Sequence, residues 1–368
     1  MENPISQFLQ ERIDANDFPS AVYLVAEKGE IVFHDALGLA VVEPDKIEAR
    51  TDTIYDLASL TKPLVTGLIC ASLIENQEFK LETEASFLAK RLHVPDKRGI
   101  TVLDLLTHTS GLPAWRPFYF LVEDKSQVIS AIAAEPTVSP TEVVYSDLNF
   151  LILESIVSSV LGKGLDEIFG EIIGDSLDST CFNPSSDVRL RIAASEKGNA
   201  YEKNTCIELG YKPDEFRIPH SAFRTELIWG EVHDGNAWFM NGVAGHAGLF
   251  STAEEVFKLA SEFLPNYTTV LKPKTTELFR TNFTKGMNED RSFAFQLAST
   301  ENSTAGSKMS PESFGHLGFT GTSLWIDPVK ERIFILLTNR THAHPLPFVN
   351  INSVRRHFHD LANDFLDR

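Results

Sequence analysis

Cysteine is scarce here: the 368 residues hold three, Cys70, Cys181 and Cys206. The number is odd and no two share a metal-ligand spacing, so neither a disulfide framework nor a thiolate metal site organises the chain. Basic charge is also short. Lysine and arginine total 33 against 51 acidic residues, a net charge of −18. Nucleic acid and anionic membranes both need basic patches, so neither is an expected partner. The longest nearly apolar run, Pro63 to Ile74, is too short to span a bilayer. The opening MENPISQFLQERID has no basic segment ahead of an apolar core, so no signal peptide is read there and a cytoplasmic location is expected. Internal repeats and low-complexity tracts are absent as well. Hydrophobic residues make up 43% of the chain, enough for a sizeable core. The length suits two domain-sized units, or one large domain with an insertion.

What is present centres on Asp56 to Cys70, DLASLTKPLVTGLIC. Ser59 is followed three residues later by Lys62, at the head of a helix-compatible run expected to reach Glu75. Three helical steps bring the two side chains within roughly 60° and about 4.5 Å along the axis. A serine hydroxyl is a poor nucleophile at neutral pH, and an amine whose pKa is lowered by burial can take its proton. The helix N-terminus adds N–H groups that suit an attacked carbonyl oxygen. Alone, such a pair reads more readily as a capping serine and a solvated lysine.

The surrounding pattern supplies a frame. Residues 5 to 14 read as an amphipathic helix, and Ala21–Glu27 with Ile31–Leu39 as a hairpin turning at Lys28-Gly29. Helical segments and long loops follow from 76 to 290, including Thr101–Thr107, Leu148–Leu161 and Glu254–Phe263. Asp175 to Arg224 is polar and irregular, a candidate lid. Strand signals return at Gly318–Ile326 and Arg332–Thr338, and a helix closes the chain from Val349 to Asp367. The expected fold is α+β: residues 1–75 and 291–368 share an antiparallel sheet flanked by the terminal helices, and 76–290 form a large, mainly helical insert. Ser59 falls at the seam, where clefts form.

Three more stretches carry chemistry-bearing residues. Tyr145-Ser146-Asp147 opens a helix, with a phenol that can share a proton with Lys62 and a carboxylate that can hold a lysine or a substrate amide. His316-Leu317-Gly318-Phe319 leads into a strand whose glycine lets a substrate lie against its edge. Leu105 to Pro113, LLTHTSGLP, stops a helix at His108. With Ser59-x-x-Lys62, these stretches and GVAGHAGLFST (242–252) make the chain resemble the serine β-lactamase and penicillin-binding protein superfamily. The nearest branch is that of class C β-lactamases, D,D-peptidases and family VIII esterases. The resemblance implies a β-lactamase/transpeptidase-like fold and two-step acyl transfer without cofactor or metal. Ser59 would be the nucleophile, Lys62 and Tyr145 the proton carriers, and the Ser59 and Phe319 N–H groups the oxyanion hole. His316, Leu317, Gly318, Asp147 and His108 would line the substrate site.

Two residues depart from the pattern. Asp147 stands where Asn is commoner, and Leu317 where relatives carry a hydroxyl that binds the substrate carboxylate. Both shift the expectation from β-lactams or D-Ala-D-Ala peptides towards small esters or an unusual amide; a non-catalytic binding module has no need of the proton carriers. The remaining histidines read first as structural: His342 and His344, His357 and His359 have no third ligand nearby, and on a helix the latter pair point about 200° apart. His233, Asn236 and His246 are candidates for a pocket wall. Trp115, Phe118, Tyr119 and Phe120 form an aromatic patch that could receive an acyl chain.

Overall fold

A computed structural model describes residues 3–138, 141–173, 177–212 and 223–368. Its main sheet has seven strands: β1 (Ser20–Glu27), β2 (Glu30–Val41), β3 (Ile47–Glu48), β7 (Gln296–Leu297), β8 (Phe314–Leu317), β9 (Ser323–Asp327) and β10 (Arg332–Thr338); β4 (Tyr55–Asp56), β5 (Cys181–Phe182) and β6 (Leu249–Ser251) form a separate sheet. Their spatial order is β3-β2-β1-β10-β9-β8-β7, and every pairing is antiparallel. Strands from the two ends of the chain meet at β1 and β10, with Ala21 opposite Thr338 and Glu27 opposite Arg332. β1 and β10 are buried along almost their whole length, because the sheet is covered on both faces. On one face the helices Pro4–Asp14 and Asn352–Leu366 pack Ile5, Leu9, Val354 and Phe358 against Tyr23, Trp325 and Phe334. The other face carries Val22, Leu24, Ile333 and Ile335 into the larger core shared with the central helices.

The second sheet is small: β4 (Tyr55–Asp56) and β5 (Cys181–Phe182) flank β6 (Leu249–Ser251). It ties the segment entering Ser59 to the insert. The stretch from Ser59 to Glu75 is not one regular α-helix. A 3₁₀ turn, Ala58–Leu60, passes into a π-helical segment, Lys62–Gly67, and only Leu68–Glu75 is α-helical. The wider turns fit where side chains and carbonyls of the insert enter the groove: Thr66 Oγ1 donates to Gly245 O at 2.7 Å. By length and composition Ala58–Glu75 could cross a membrane, but 78% of it is buried in the core.

The region expected as one strand from Gly318 divides differently. Residues 314–317 end β8, a tight turn covers 318–322, and β9 begins at Ser323. A Cβ on Gly318 would lie 1.9 Å from Thr322 Oγ1 and 2.5 Å from Leu57 O, so only glycine lets this turn close against the segment carrying Ser59. The irregular segment 175–224 falls partly outside the described residues. Its described portion includes β5 and a helix, Ala200–Glu208, so it is more ordered than its polarity suggests.

Candidate active site

Ser59 lies in the wall of a cavity of about 610 Å³ between the β8–β9 edge and the insert. The residue before it, Ala58, has φ +48°, a conformation that costs about 1–3 kcal/mol in a non-glycine residue. Asp56 holds the turn: one carboxylate oxygen accepts the Ala58 N–H at 2.8 Å and the other the His233 N–H at 2.7 Å. Thr320 Oγ1 donates to Asp56 O and Thr322 Oγ1 to Leu57 O, locking the β8–β9 turn to the same segment. Ser59 is thereby presented by a strained turn braced from three sides.

Lys62 is fully buried, and its Nζ donates to Ser59 Oγ at 2.8 Å. The same ammonium lies 2.7 Å from Asp147 Oδ1 and donates to His246 O at 3.2 Å. Burial alone would depress the lysine pKa, as the sequence suggested. The Asp147 carboxylate, with hydrogen bonding from its neighbours, outweighs it and raises the pKa above its ordinary value. The expectation of a neutral amine is therefore corrected: Lys62 rests as an ammonium because the residue at 147 is a carboxylate. Tyr145 completes the floor, its ring centre 5.0 Å from Lys62 Nζ and 5.4 Å from the Arg291 guanidinium carbon.

The two histidines flanking Tyr145 are neutral. Burial, with Arg291 and Lys62 nearby, pushes both pKa values well below the usual range. His108 does not line the cavity. Its Nδ1 accepts the Ser146 N–H at 3.0 Å and its ring packs 4.5 Å from that of Tyr145, so it supports the tyrosine from behind instead of binding substrate. His316 does line the cavity. Its Nδ1 must donate to the Leu317 carbonyl, 2.9 Å away, which leaves the Nε2 lone pair buried and without a partner. Leu317, Gly318, Phe319 and Asp147 lie in the same wall. Among the described residues the N–H groups of Ser59 and Phe319 enter no hydrogen bond, so both remain open to an oxyanion.

Sequence reasoning missed a second set of cavity residues. Arg291 precedes β7, Gln296 lies in β7, Arg340 follows β10 and Arg355 lies in the last helix, while Tyr201, Glu202, Thr205 and Leu209 come from the Ala200–Glu208 helix and the residue after it. Arg291 is 5% exposed, and its Nη1 has no partner. Only the sequence-distant folding of these segments brings them together, and no local motif announces it. Of the aromatic patch, Trp115 reaches the cavity while Phe118, Tyr119 and Phe120 are core. His233 lines the wall with Nε2 2.9 Å from Glu196 Oε2, whereas Asn236 braces a loop through Phe118 N and Arg116 O. His342 and His359 hold backbone carbonyls of Ser195 and Thr304.

Asp147, Asp234 and His246 place ligand-type atoms within 4.8 Å of one another. Two contacts already use them. Lys62 engages Asp147, and His246 Nε2 lies 2.9 Å from Asp234 Oδ1. Burial opposes charge on His246, but Asp234 outweighs it and raises the imidazole pKa; His246 in turn helps hold the Asp234 carboxyl below its usual range. Each carboxylate of the cluster thus already has a partner, Lys62 for Asp147 and His246 for Asp234.

Fold and site together are those of a serine hydrolase. The chain belongs to the Beta-lactamase family, whose model matches residues 5–355. A curated relative from Escherichia coli (strain K12), named "Putative D-alanyl-D-alanine carboxypeptidase", is 30% identical across 93% of this chain and 82% of its own. Among solved structures, EstCE1, a hydrolase with promiscuous acyltransferase activity, aligns with a TM-score of 0.74 at 19% identity, covering 98% of this chain and 97% of its own. A class C beta lactamase from Rhodobacter sphaeroides gives 0.73 at 18% identity, covering 99% and 100%. These neighbours share the fold.

Proposed function

We propose that the protein hydrolyses small neutral esters or amides through an acyl-enzyme on Ser59. The observation that carries this reading is the 2.8 Å contact of Lys62 Nζ with Ser59 Oγ at the wall of a cavity that also holds two open backbone N–H groups. Lys62 is charged at rest, so it cannot accept a proton directly. It first passes one to the Asp147 carboxylate, 2.7 Å away, and as a neutral amine takes the proton of Ser59. Ser59 Oγ then bonds to the substrate carbonyl carbon, whose oxygen turns into the Ser59 and Phe319 N–H groups. The leaving group collects the proton by the same route, and water repeats the sequence to release the acid.

Arg291 favours a second reading, cleavage of a carboxylate-bearing lactam or D-amino-acid peptide. Its unpartnered Nη1 could meet the anion that Leu317 cannot. The test compares turnover of a p-nitrophenyl short-chain ester and of nitrocefin, with intact-mass detection of the acyl-enzyme. Ester turnover with a Ser59 adduct supports the first reading, preferential nitrocefin turnover the second. Binding without turnover or adduct would mean that the site serves only to hold a ligand.

A further inference from the structure

Arg355 has no evident reason to be buried. It is 4% exposed at the cavity wall, and it forms no ion pair among the described residues. Its surroundings oppose its charge: burial and the neighbouring Arg340 both lower its pKa. An apolar side chain of similar volume would fill the space between the last helix and the β8–β9 turn at lower cost.

Its contacts show what it does there. Nη2 donates to Gly318 O at 3.1 Å and to Thr322 O at 2.9 Å, while Nη1 donates to Asn352 Oδ1 at 2.9 Å, which fixes the guanidinium. Gly318 O also accepts the Gly321 N–H at 3.1 Å. The carbonyl of Gly318 and the N–H of Phe319 belong to one peptide group, and in a trans peptide they point in opposite directions. Fixing the carbonyl on the guanidinium therefore aims the Phe319 N–H away from the last helix. A cationic donor on the carbonyl also polarises the amide, making its N–H a stronger donor. Arg340 secures the next peptide in the same manner, with Nε donating to Phe319 O at 2.7 Å.

We infer that Arg355 is a positioning residue for the oxyanion hole, orienting and polarising the Gly318–Phe319 peptide from behind so that the Phe319 N–H strengthens its bond as the substrate carbonyl becomes an oxyanion. This rests on the Ser59 acyl-enzyme reading. It assigns Arg355 a role in the transition state and none in binding the substrate's own charge.

The experiment uses Arg355→Met and Arg355→Lys in the full chain, with circular dichroism and active-site titration to count folded molecules. Acylation is followed with a neutral p-nitrophenyl ester and with an anionic one, alongside affinity for a phenylboronic acid, whose adduct on Ser59 places an oxygen in the oxyanion site. Removing an oxyanion donor outright costs about 10²–10³ in kcat, so loss of its alignment should cost about 10- to 100-fold. The expected result for Arg355→Met is that loss in kcat on both esters, KM within about twofold, and boronate affinity weakened in parallel; Arg355→Lys should recover part of it. An unchanged kcat per folded molecule overturns the inference, as does a loss confined to the anionic ester or to KM. If Arg355→Met fails to fold, the Lys variant carries the test, because a purely structural role predicts lower stability with unaltered kcat and boronate affinity. A wild-type protein that forms no Ser59 adduct overturns the nucleophile reading first, and this inference with it.

Discussion

Asp147 Oδ1 lies 2.7 Å from the buried Nζ of Lys62, and the pair fixes the resting charge of the site. A carboxylate there raises the lysine pKa above its ordinary value against the pull of burial. An amide would remove the largest contribution that opposes burial. The residue at 147 thus decides whether the proposed base starts with a proton to lose.

The pH dependence of Asp147→Asn tests this. Loss of an opposite charge within hydrogen-bond distance lowers a buried lysine's pKa by about 1–3 units. Activity that requires neutral Lys62 rises as pH passes through that pKa. The rising limb of kcat/KM should therefore move to lower pH in the variant, measured with a neutral ester between pH 5 and 10. An unmoved limb would mean that Lys62 ionisation does not control the rate.

Ser59→Ala should abolish turnover and the mass adduct while the protein stays folded, since the hydroxyl lies in a cavity wall and not in the core. Lys62→Ala and Tyr145→Phe should each slow acylation by about 10²–10⁴-fold. The double variant should lose little more than either single one, because both residues handle one proton. Multiplicative losses in a stopped-flow acylation assay would separate their roles.

Glu154 gives the stability curve a predictable shape. Burial pushes its pKa up to about 7, opposed by the Gly245 N–H that it accepts at 2.9 Å. The folded-state value exceeds the ordinary carboxyl value, so the protonated form favours the native state. Its contribution is full below about pH 4.5 and is lost as pH rises through about 7. Glu154→Gln, which keeps an acceptor for Gly245, should flatten thermal stability across that window and raise Tm above pH 7. Equal slopes in the two proteins would show that Glu154 titrates normally.

How much of this was legible in the sequence follows from which signals are local. The hairpin at Lys28-Gly29, the Ser59–Lys62 spacing and the helix opening at Asp147 depend on neighbours within a few residues, and the structure shows all three. The continuous Ser59 helix was not found, because the π-helical turn answers to Gly245 and His246, 179 and 184 residues away from their partners. Burial of Lys62 was readable from its apolar run. The sign of its pKa shift was not, because it depends on a distance to Asp147 that only the tertiary fold sets. Arg355 carried no signal, since an arginine on a terminal helix ordinarily faces water.

Metal chemistry is the next expectation to test, because Asp147, Asp234 and His246 meet so closely. The Lys62 ammonium already neutralises Asp147, and His246 Nε2 lies 2.9 Å from Asp234 Oδ1. A divalent ion would have to displace both contacts. Ester turnover should therefore survive EDTA dialysis and gain nothing from added zinc, checked by activity and by metal analysis of the purified protein. Zinc-restored activity would show that the cluster is a metal site.

The final prediction concerns specificity at Leu317. Its side chain lines the cavity one residue before Gly318, where relatives of the resembled superfamily carry a hydroxyl for the substrate carboxylate. Leucine offers no donor, and neutral His316 presents a lone pair that repels an anion. Neutral esters should be preferred to β-lactams, and Leu317→Thr should narrow the gap. One restored hydrogen bond to a charged group supplies about 1.5–3 kcal/mol, roughly ten- to a hundredfold in kcat/KM for nitrocefin. Arg291 is the competing source of carboxylate recognition, since its buried Nη1 has no partner. The decisive comparison is the ester-to-nitrocefin ratio in wild type, Leu317→Thr and Arg291→Met. If wild type already hydrolyses nitrocefin efficiently and Arg291→Met removes that activity, the guanidinium holds the carboxylate and Leu317 does not set the preference. If Leu317→Thr alone raises nitrocefin turnover, the missing hydroxyl does.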